Sequence, residues 1–192
     1  MKQRIILASS SKTRKKILER MGLKFEIIPS NFIEDMNLKL PPEKLAMEIA
    51  YGKAEDVSKD LKEGIVIGID TFVYFNGKVI GKPKNKEDAI NILKNFSGNT
   101  HLVYSGIVII DCKNKNSIKD YEVTKVKFRK LSEKEIINYV ESGEPLDKAG
   151  AYGVQGLGGI LAEKFEGCFF NVEGFPISKI IEGLKKLGVD YY

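Results

Sequence analysis

The chain has 192 residues, of which 43% are hydrophobic and 30% charged, and its formal net charge is +5 at pH 7. These values predict one large globular domain and exclude a disordered chain. The single histidine and two cysteines exclude a disulfide framework, a zinc finger and a haem-attachment motif. The first residues turn polar at Ser9, too early for a signal peptide, and no apolar run reaches the ~18 residues of a membrane span. We therefore expect a cytoplasmic protein whose mild positive charge suits an anionic ligand.

The first predicted element is a buried strand at 4–8, which runs into a helix through three serines, Ser9, Ser10 and Ser11. The start of a helix leaves backbone N–H groups unpaired, and these attract anions. Arg14 and the lysines at 12, 15 and 16 would strengthen that attraction. The alternative is an ordinary serine cap followed by a solvated basic helix.

A short strand at 25–28 leads through a polar loop to a helix that begins at Pro41-Pro42. The loop carries the acidic pair Glu34-Asp35, which on local grounds is typical of solvated charge. Lys53 lies on the apolar stripe of the helix, and lysine is rarely buried without a partner. Its side chain therefore either extends to solvent or reaches a fixed anion.

The next strand, at 65–73, has an apolar run that ends at Asp70, and Asn76-Gly77 predicts a tight hairpin behind it. A carboxylate at the end of a strand can hold a divalent metal or orient a water, or it can simply close the hairpin strand. The returning strand ends in Gly81-Lys82-Pro83. That segment either brings Lys82 back towards Asp70 or forms a plain turn.

The second half continues the alternation of helices and strands, which predicts an α/β fold with a mixed sheet. Helices are expected after Asn85, after Ser132 and from 176 to 187, and strands at 102–110 and 121–128. The glycine-rich segment at 150–159 is either a series of bends or a close approach to a flat ligand, in which Gln155 reads a base edge. We expect His101 to be a strand residue rather than a ligand. Residues 1–192 are predicted to form one domain of two lobes, with seams at 113–116 or 144–145.

Taken together, basic sites alternate along the chain with carboxylates. This set suits a complex of a metal with a polyphosphate, because cations hold phosphates and acids hold the metal and the attacking water.

The sequence resembles the Maf family of nucleoside triphosphate pyrophosphatases over nearly its whole length. Seven blocks carry the resemblance in family order: LASSSKTR at 7–14, PSNFIE at 29–34, AYGKA at 50–54, DT with GKP at 70–71 and 81–83, SGNTH at 97–101, EPLDKAGAYGVQG at 144–156 and NVEGFP at 171–176.

The resemblance implies an inosine-triphosphatase-like fold, with an elongated mixed sheet flanked by helices around a central cleft. It implies hydrolysis between the α- and β-phosphates of a nucleoside triphosphate to give the monophosphate and pyrophosphate. It also implies a divalent metal, Mg²⁺ or Mn²⁺, and a homodimer, with no stable nucleic-acid partner. The DT and AGAYGVQG blocks are similar to the subgroup that acts on dTTP and UTP.

The resemblance also assigns roles to residues. Asp70 would be the general base, and Glu34 with Asp70 would bind the metal. Phosphates would be held by Ser9, Arg14, Lys53 and Lys82. Substrate choice would fall to Thr13, Thr71 and Gln155.

Two positions depart from the family pattern: Lys12 replaces a proline, and Thr13 replaces an arginine associated with substrate choice. Lys12 or Lys15 could supply the missing charge, but a lysine does not reproduce the planar guanidinium fork of an arginine. Two alternatives therefore stay open. One is a pyrophosphatase for other or modified nucleotides, and the other is a non-enzymatic nucleic-acid-binding or septation regulator.

Overall fold

A computed structural model describes residues 3–189. The elements alternate along the chain as the hydrophobic patterns predict. The strands are β1 (Ile5–Ala8), β2 (Glu26–Ile27), β3 (Ile65–Phe75), β4 (Lys78–Ile80), β5 (Thr100–Asp111), β6 (Ser117–Phe128) and β7 (Ala162–Glu166). The helices are α1 (Lys12–Arg20), α2 (Pro42–Ser58), α3 (Lys86–Phe96), α4 (Glu133–Glu141), α5 (Phe169–Val172) and α6 (Ile177–Lys186).

Local sequence signals fix several of these boundaries. Ser11 and Asn85 cap α1 and α3 by accepting a hydrogen bond from the backbone three residues on. Ser132 and Glu135 form the reciprocal capping box of α4. The β3–β4 turn has positive φ at both central residues, 49° at Asn76 and 78° at Gly77, as its sequence predicts.

The strands of residues 3–189 form one seven-stranded sheet in the order β2-β1-β3-β5-β6-β7, with β4 beside β3. β1 runs parallel to β2 and β3, whereas the β3–β4 and β6–β7 pairs are antiparallel. The mixed sheet confirms the predicted fold class. The patterns did not predict β7 or α5, and β6 begins at Ser117, earlier than expected. No helix within residues 3–189 is long and apolar enough to cross a membrane.

The described residues divide into two compact units. Unit 1 comprises the chain up to Asp70, Ser105–Glu122 and the chain from Gly174. Its core joins β1, the first part of β3 and the second part of β5 to α1 and α6. α2 packs closely on the sheet, because a Cβ on Gly68 or Gly106 would overlap a carbonyl oxygen of α2. The helix that carries Lys53 is therefore held at a fixed distance from the strand that carries Asp70.

Unit 2 comprises Thr71–Tyr104 and Val123–Glu173. Its core contains an aromatic cluster in which His101 stacks on Phe96 at 4.3 Å between ring centroids. The Nε2 atom of His101 lies 2.8 Å from the hydroxyl of Tyr152. This confirms the prediction that His101 is a strand residue, and of a packed and an exposed position the structure shows the packed one. The predicted single domain with two lobes stays a prediction.

Candidate functional site

The centre of the site in unit 1 is an ammonium group held between two carboxylates. The Nζ atom of Lys53 lies 2.7 Å from Asp70 Oδ1 and 2.7 Å from Glu34 Oε1. The side chains of Lys53 and Asp70 are 13% and 7% exposed, whereas that of Glu34 is 44% exposed. Of the two positions open to Lys53, the structure therefore shows the one with a fixed anion. Glu34 is part of this ion pair and not a merely solvated charge.

Each member reaches the centre by a different route. Asp70 follows the apolar run of β3, and the buried strand carries its carboxylate out of bulk water. Lys53 lies on the buried stripe of α2, between Ala50 and Ala54. Glu34 comes from the irregular segment at 28–41, here called the β2–α2 loop. Residues 17 to 36 positions apart are thus brought within one hydrogen-bonded cluster.

One carboxylate oxygen of this cluster is buried without a hydrogen bond to any described residue. Among the described residues, Asp70 Oδ2 is buried and has no hydrogen-bond partner. A buried carboxylate oxygen without a partner is costly, which indicates a place for a proton, a water or a cation.

The described residues contain no group of three or more His, Cys, Asp or Glu side chains that could hold a metal alone. Magnesium, however, is commonly bound by one or two carboxylates together with substrate phosphates and waters. Asp70 and Glu34 fit that smaller protein share, because both present oxygen ligands beside Lys53 and one oxygen of Asp70 is unpaired.

Arg14 lies beside this cluster and is buried, with 8% of its surface exposed. Its Nε donates to the carbonyl of Gly174 at 2.9 Å, and its Nη1 donates to the carbonyl of Ile69 at 3.0 Å. Burial lowers the pKa of the Arg14 guanidinium, and the charges of Asp70 and Glu34 oppose that effect. Arg14 thus ties α1 to the residue just before Asp70, besides any contact with phosphate.

Ser9 is also engaged with the protein. Its hydroxyl oxygen accepts from Arg14 Nη1 at 3.1 Å and from the backbone of Ser11 at 3.2 Å. Thr13 lies half-buried in the first turn of α1, and Lys12 is exposed. The serine-rich segment therefore caps the helix as one reading expected. Its binding of phosphate, and the part of Thr13 in substrate choice, stay predictions.

The remaining predicted site residues lie in unit 2. Thr71 is half-buried, while Lys82 and Gln155 are exposed. The segments that carry the last two are joined, since the backbone N–H of Gly150 donates to the carbonyl of Gly81 at 2.9 Å. The neighbouring Lys148, followed by Lys82, lowers the pKa of the Asp147 carboxyl.

The carboxylate that holds the glycine-rich segment was not predicted from the sequence. Glu144 accepts from the backbone N–H groups of Leu157 and Gly158 at 2.9 and 3.0 Å, and from the hydroxyl of Tyr139 at 2.9 Å. A Cβ at Gly156 would overlap the Glu144 carboxylate. One sequence signal could have identified Glu144, which begins the EPLD block ahead of the glycine-rich segment. A glycine such as Gly156 leaves room for a carboxylate close to the backbone.

A known protein family and several named proteins match this chain over nearly its whole length. The model of the Maf-like protein family matches residues 4–187. A protein of Clostridium tetani (strain Massachusetts / E88) is 49% identical over 188 residues, covering 96% of this chain and 98% of its own. Proteins of Caldicellulosiruptor saccharolyticus and Clostridium perfringens (strain SM101 / Type A) are 44% and 47% identical, each covering at least 96% of both chains. All three are named dTTP/UTP pyrophosphatase. From the family match and these near full-length relatives, we conclude that this chain belongs to the Maf-like protein family.

Proposed function

We propose that this protein is a nucleoside triphosphate pyrophosphatase that hydrolyses the α–β phosphate bond of dTTP and UTP. The observation that carries the proposal is the buried carboxylate of Asp70, fixed by Lys53 through one oxygen and unpaired at the other. The relatives named dTTP/UTP pyrophosphatase, at 44–49% identity over nearly the whole chain, support the choice of substrate.

In the proposed reaction a water attacks the α-phosphorus, a new oxygen–phosphorus bond forms, and the bond to the β-phosphate oxygen breaks. Asp70 Oδ2 orients this water and accepts its proton, since Oδ1 is held by Lys53. The products are the monophosphate and pyrophosphate. Because Lys53 fixes the carboxylate before substrate arrives, little reorganisation is needed at the moment of attack.

The resident metal is part of the same proposal. Glu34 and Asp70 would hold Mg²⁺ or Mn²⁺, which when bound would neutralise charge on the phosphate oxygens. Ser9, Arg14, Lys53 and Lys82 are proposed to bind phosphate oxygens. Thr13, Thr71 and Gln155 are proposed to select the base.

We further propose that the protein is a cytoplasmic homodimer without a stable nucleic-acid partner, on the strength of the family resemblance and the modest net charge of +5. Light scattering during size-exclusion chromatography should give twice the 21.5 kDa chain mass. A mass of one chain would contradict the dimer and leave the proposed activity untouched.

The activity is tested with a panel of dTTP, UTP, CTP, ITP and methylated nucleotides, with Mg²⁺ or Mn²⁺ and with a chelator. We expect release of pyrophosphate and monophosphate from dTTP and UTP, and its loss with the chelator. Preferred turnover of ITP or the methylated nucleotides would contradict the substrate choice. Metal-independent turnover would contradict the metal, and no turnover of any nucleotide would contradict the enzyme.

A further inference from the structure

The carboxylate of Glu34, a proposed metal ligand, comes from a segment without helix or strand. The β2–α2 loop spans 28–41, and the Glu34 side chain is 44% exposed. Such a side chain would lose considerable conformational freedom on being held beside Lys53. Something other than regular secondary structure must therefore keep it in place.

The loop is attached to α2 by a carboxylate one helical turn beyond Lys53. Asp56 Oδ2 accepts from the backbone N–H of Asn31 at 2.8 Å and from the hydroxyl of Ser30 at 3.0 Å. The Ser30 oxygen in turn accepts from the backbone N–H of Phe32 at 3.0 Å. Three consecutive residues of the loop are thus bound, directly or through Ser30, to one side chain of α2.

A second attachment involves Phe32, which lies in the loop between the residues bound by Asp56 and Glu34. The ring of Phe32 covers Gly52, and a Cβ on Gly52 would overlap that ring. Gly52 is the residue just before Lys53, so the glycine forms a slot for the loop beside the ammonium group. The two attachments and the ion pair, at 52, 53 and 56, all lie on α2.

We infer that Asp56 and Gly52 are positioning residues that hold the β2–α2 loop so that Glu34 reaches Lys53 and the metal. Neither residue is among those proposed to bind the substrate or the metal. Asp56 fixes the start of the loop, Gly52 admits the Phe32 ring, and Glu34 follows two residues after that ring. This inference rests on the proposed function, because it assumes that Glu34 is a metal ligand.

Lys59 provides a matched control. Its Nζ pairs with the other oxygen of Asp56, Oδ1, at 2.6 Å, and its side chain is 59% exposed. An exposed pair of this kind contributes little. Lys59→Met therefore changes the surroundings of Asp56 and leaves the oxygen that binds the loop unchanged.

The first experiment is a double-mutant cycle on turnover of dTTP with saturating metal. We expect Asp56→Ala to lower kcat about tenfold or more, since small displacements of catalytic groups can have effects of this size. We expect the Asp56→Ala, Glu34→Gln double variant to match Glu34→Gln alone, because residues acting through one group are not additive. Lys59→Met should stay within about twofold of the parent. Multiplicative losses in the double variant, or parent-like kcat in Asp56→Ala or Glu34→Gln, would overturn the inference.

A second variant separates positioning from folding. Alanine is a better helix former than glycine, so Gly52→Ala should leave the Tm of the protein unchanged or raise it. The kcat should fall, because the new Cβ displaces the Phe32 ring. A parent-like kcat in Gly52→Ala would count against the slot.

Amide hydrogen exchange of the free protein gives a readout without substrate. Asp56→Ala should remove protection at the amides of Asn31 and Phe32, and Lys59→Met should retain it. Retained protection in Asp56→Ala would overturn the anchor. If the parent protein released no pyrophosphate, the proposed function would fail, and the exchange data would still report on the anchor.

Discussion

Replacing Lys53 with methionine would show how strongly the buried ion pair holds the site together. Methionine keeps most of the length of the side chain and removes its charge. Glu34 is 44% exposed and can turn to water. Asp70, whose side chain is 7% exposed, would be left with Oδ1 unpaired as well as Oδ2. The loss of stability should therefore come almost wholly from Asp70.

The geometry sets the size of the effect. Opposite charges 2.7 Å apart attract by about 6 kcal/mol at an effective dielectric constant of about 20. Part of that attraction offsets desolvation, and removing one partner of a buried pair costs about 3–5 kcal/mol. Because the Arg14 guanidinium stays near Asp70, we expect the lower end, about 3 kcal/mol. For a chain of this size that is a fall of about 6–12 °C in Tm.

Urea unfolding followed by circular dichroism would measure this for the parent, Lys53→Met, Asp70→Asn and the double variant. Asp70→Asn should lose less than Lys53→Met, because Lys53 still pairs with Glu34. The double variant should recover much of the loss, since it removes the buried Asp70 charge that Lys53→Met leaves without its ammonium partner. A Lys53→Met protein within about 0.5 kcal/mol of the parent, or a double variant without recovery, would refute the reasoning.

Three further predictions concern the scaffold. Gly106→Ala should lower the free energy of unfolding by about 2–3 kcal/mol in the same urea assay, because its Cβ would overlap the backbone oxygen of Ala46. A free energy of unfolding equal to that of the parent would contradict the close packing of α2 on the sheet. Burial lowers the pKa of His101 to about 3. Below about pH 6.5 the unfolded chain therefore takes up a proton at this histidine that the folded chain does not. The free energy of unfolding should decrease for this reason as the pH drops from about 6.5 towards 3. The proton NMR signals of this single histidine should not move between pH 8 and 5, and a titration near pH 6.5 would show the ring to be exposed. Hydrogen bonds from Ser132, with help from Arg129, lower the pKa of Glu135 to about 2, so its stabilising effect is complete above about pH 4.5 and is lost as the pH falls towards 2. Glu135→Gln should accordingly flatten the dependence of the urea midpoint on pH within that window, and an unchanged slope would contradict it.

The sequence predicted the elements whose signals are local. Apolar periodicity, serine and asparagine caps and the Asn76-Gly77 turn predicted most helices and strands within a few residues. β7 was missed because it is short and its residues at 163, 164 and 166 are exposed polar ones, which resemble a loop. α5 has four residues, too few for a helical period to show.

The site was predictable as a set of residues but not as a network. The position of Lys53 on an apolar stripe predicted either extension to solvent or a fixed anion, and the structure shows the anions, Asp70 and Glu34. Two of the contacts of Arg14 are to carbonyls 55 and 160 residues away, which no spacing rule could foresee. The tie between Asp56 and the β2–α2 loop was equally hidden, because it joins residues 25 and 26 positions apart.

The most direct test of the account is pyrophosphate release from dTTP by the Asp70→Asn variant, beside Asp60→Asn as an exposed control. Asparagine keeps the shape of the side chain and removes the base. We predict that Asp70→Asn lowers kcat by about 10²-fold or more with a modest change in KM, whereas Asp60→Asn turns over like the parent. Near-parent turnover by a correctly folded Asp70→Asn protein would contradict the central claim that this buried carboxylate activates the attacking water.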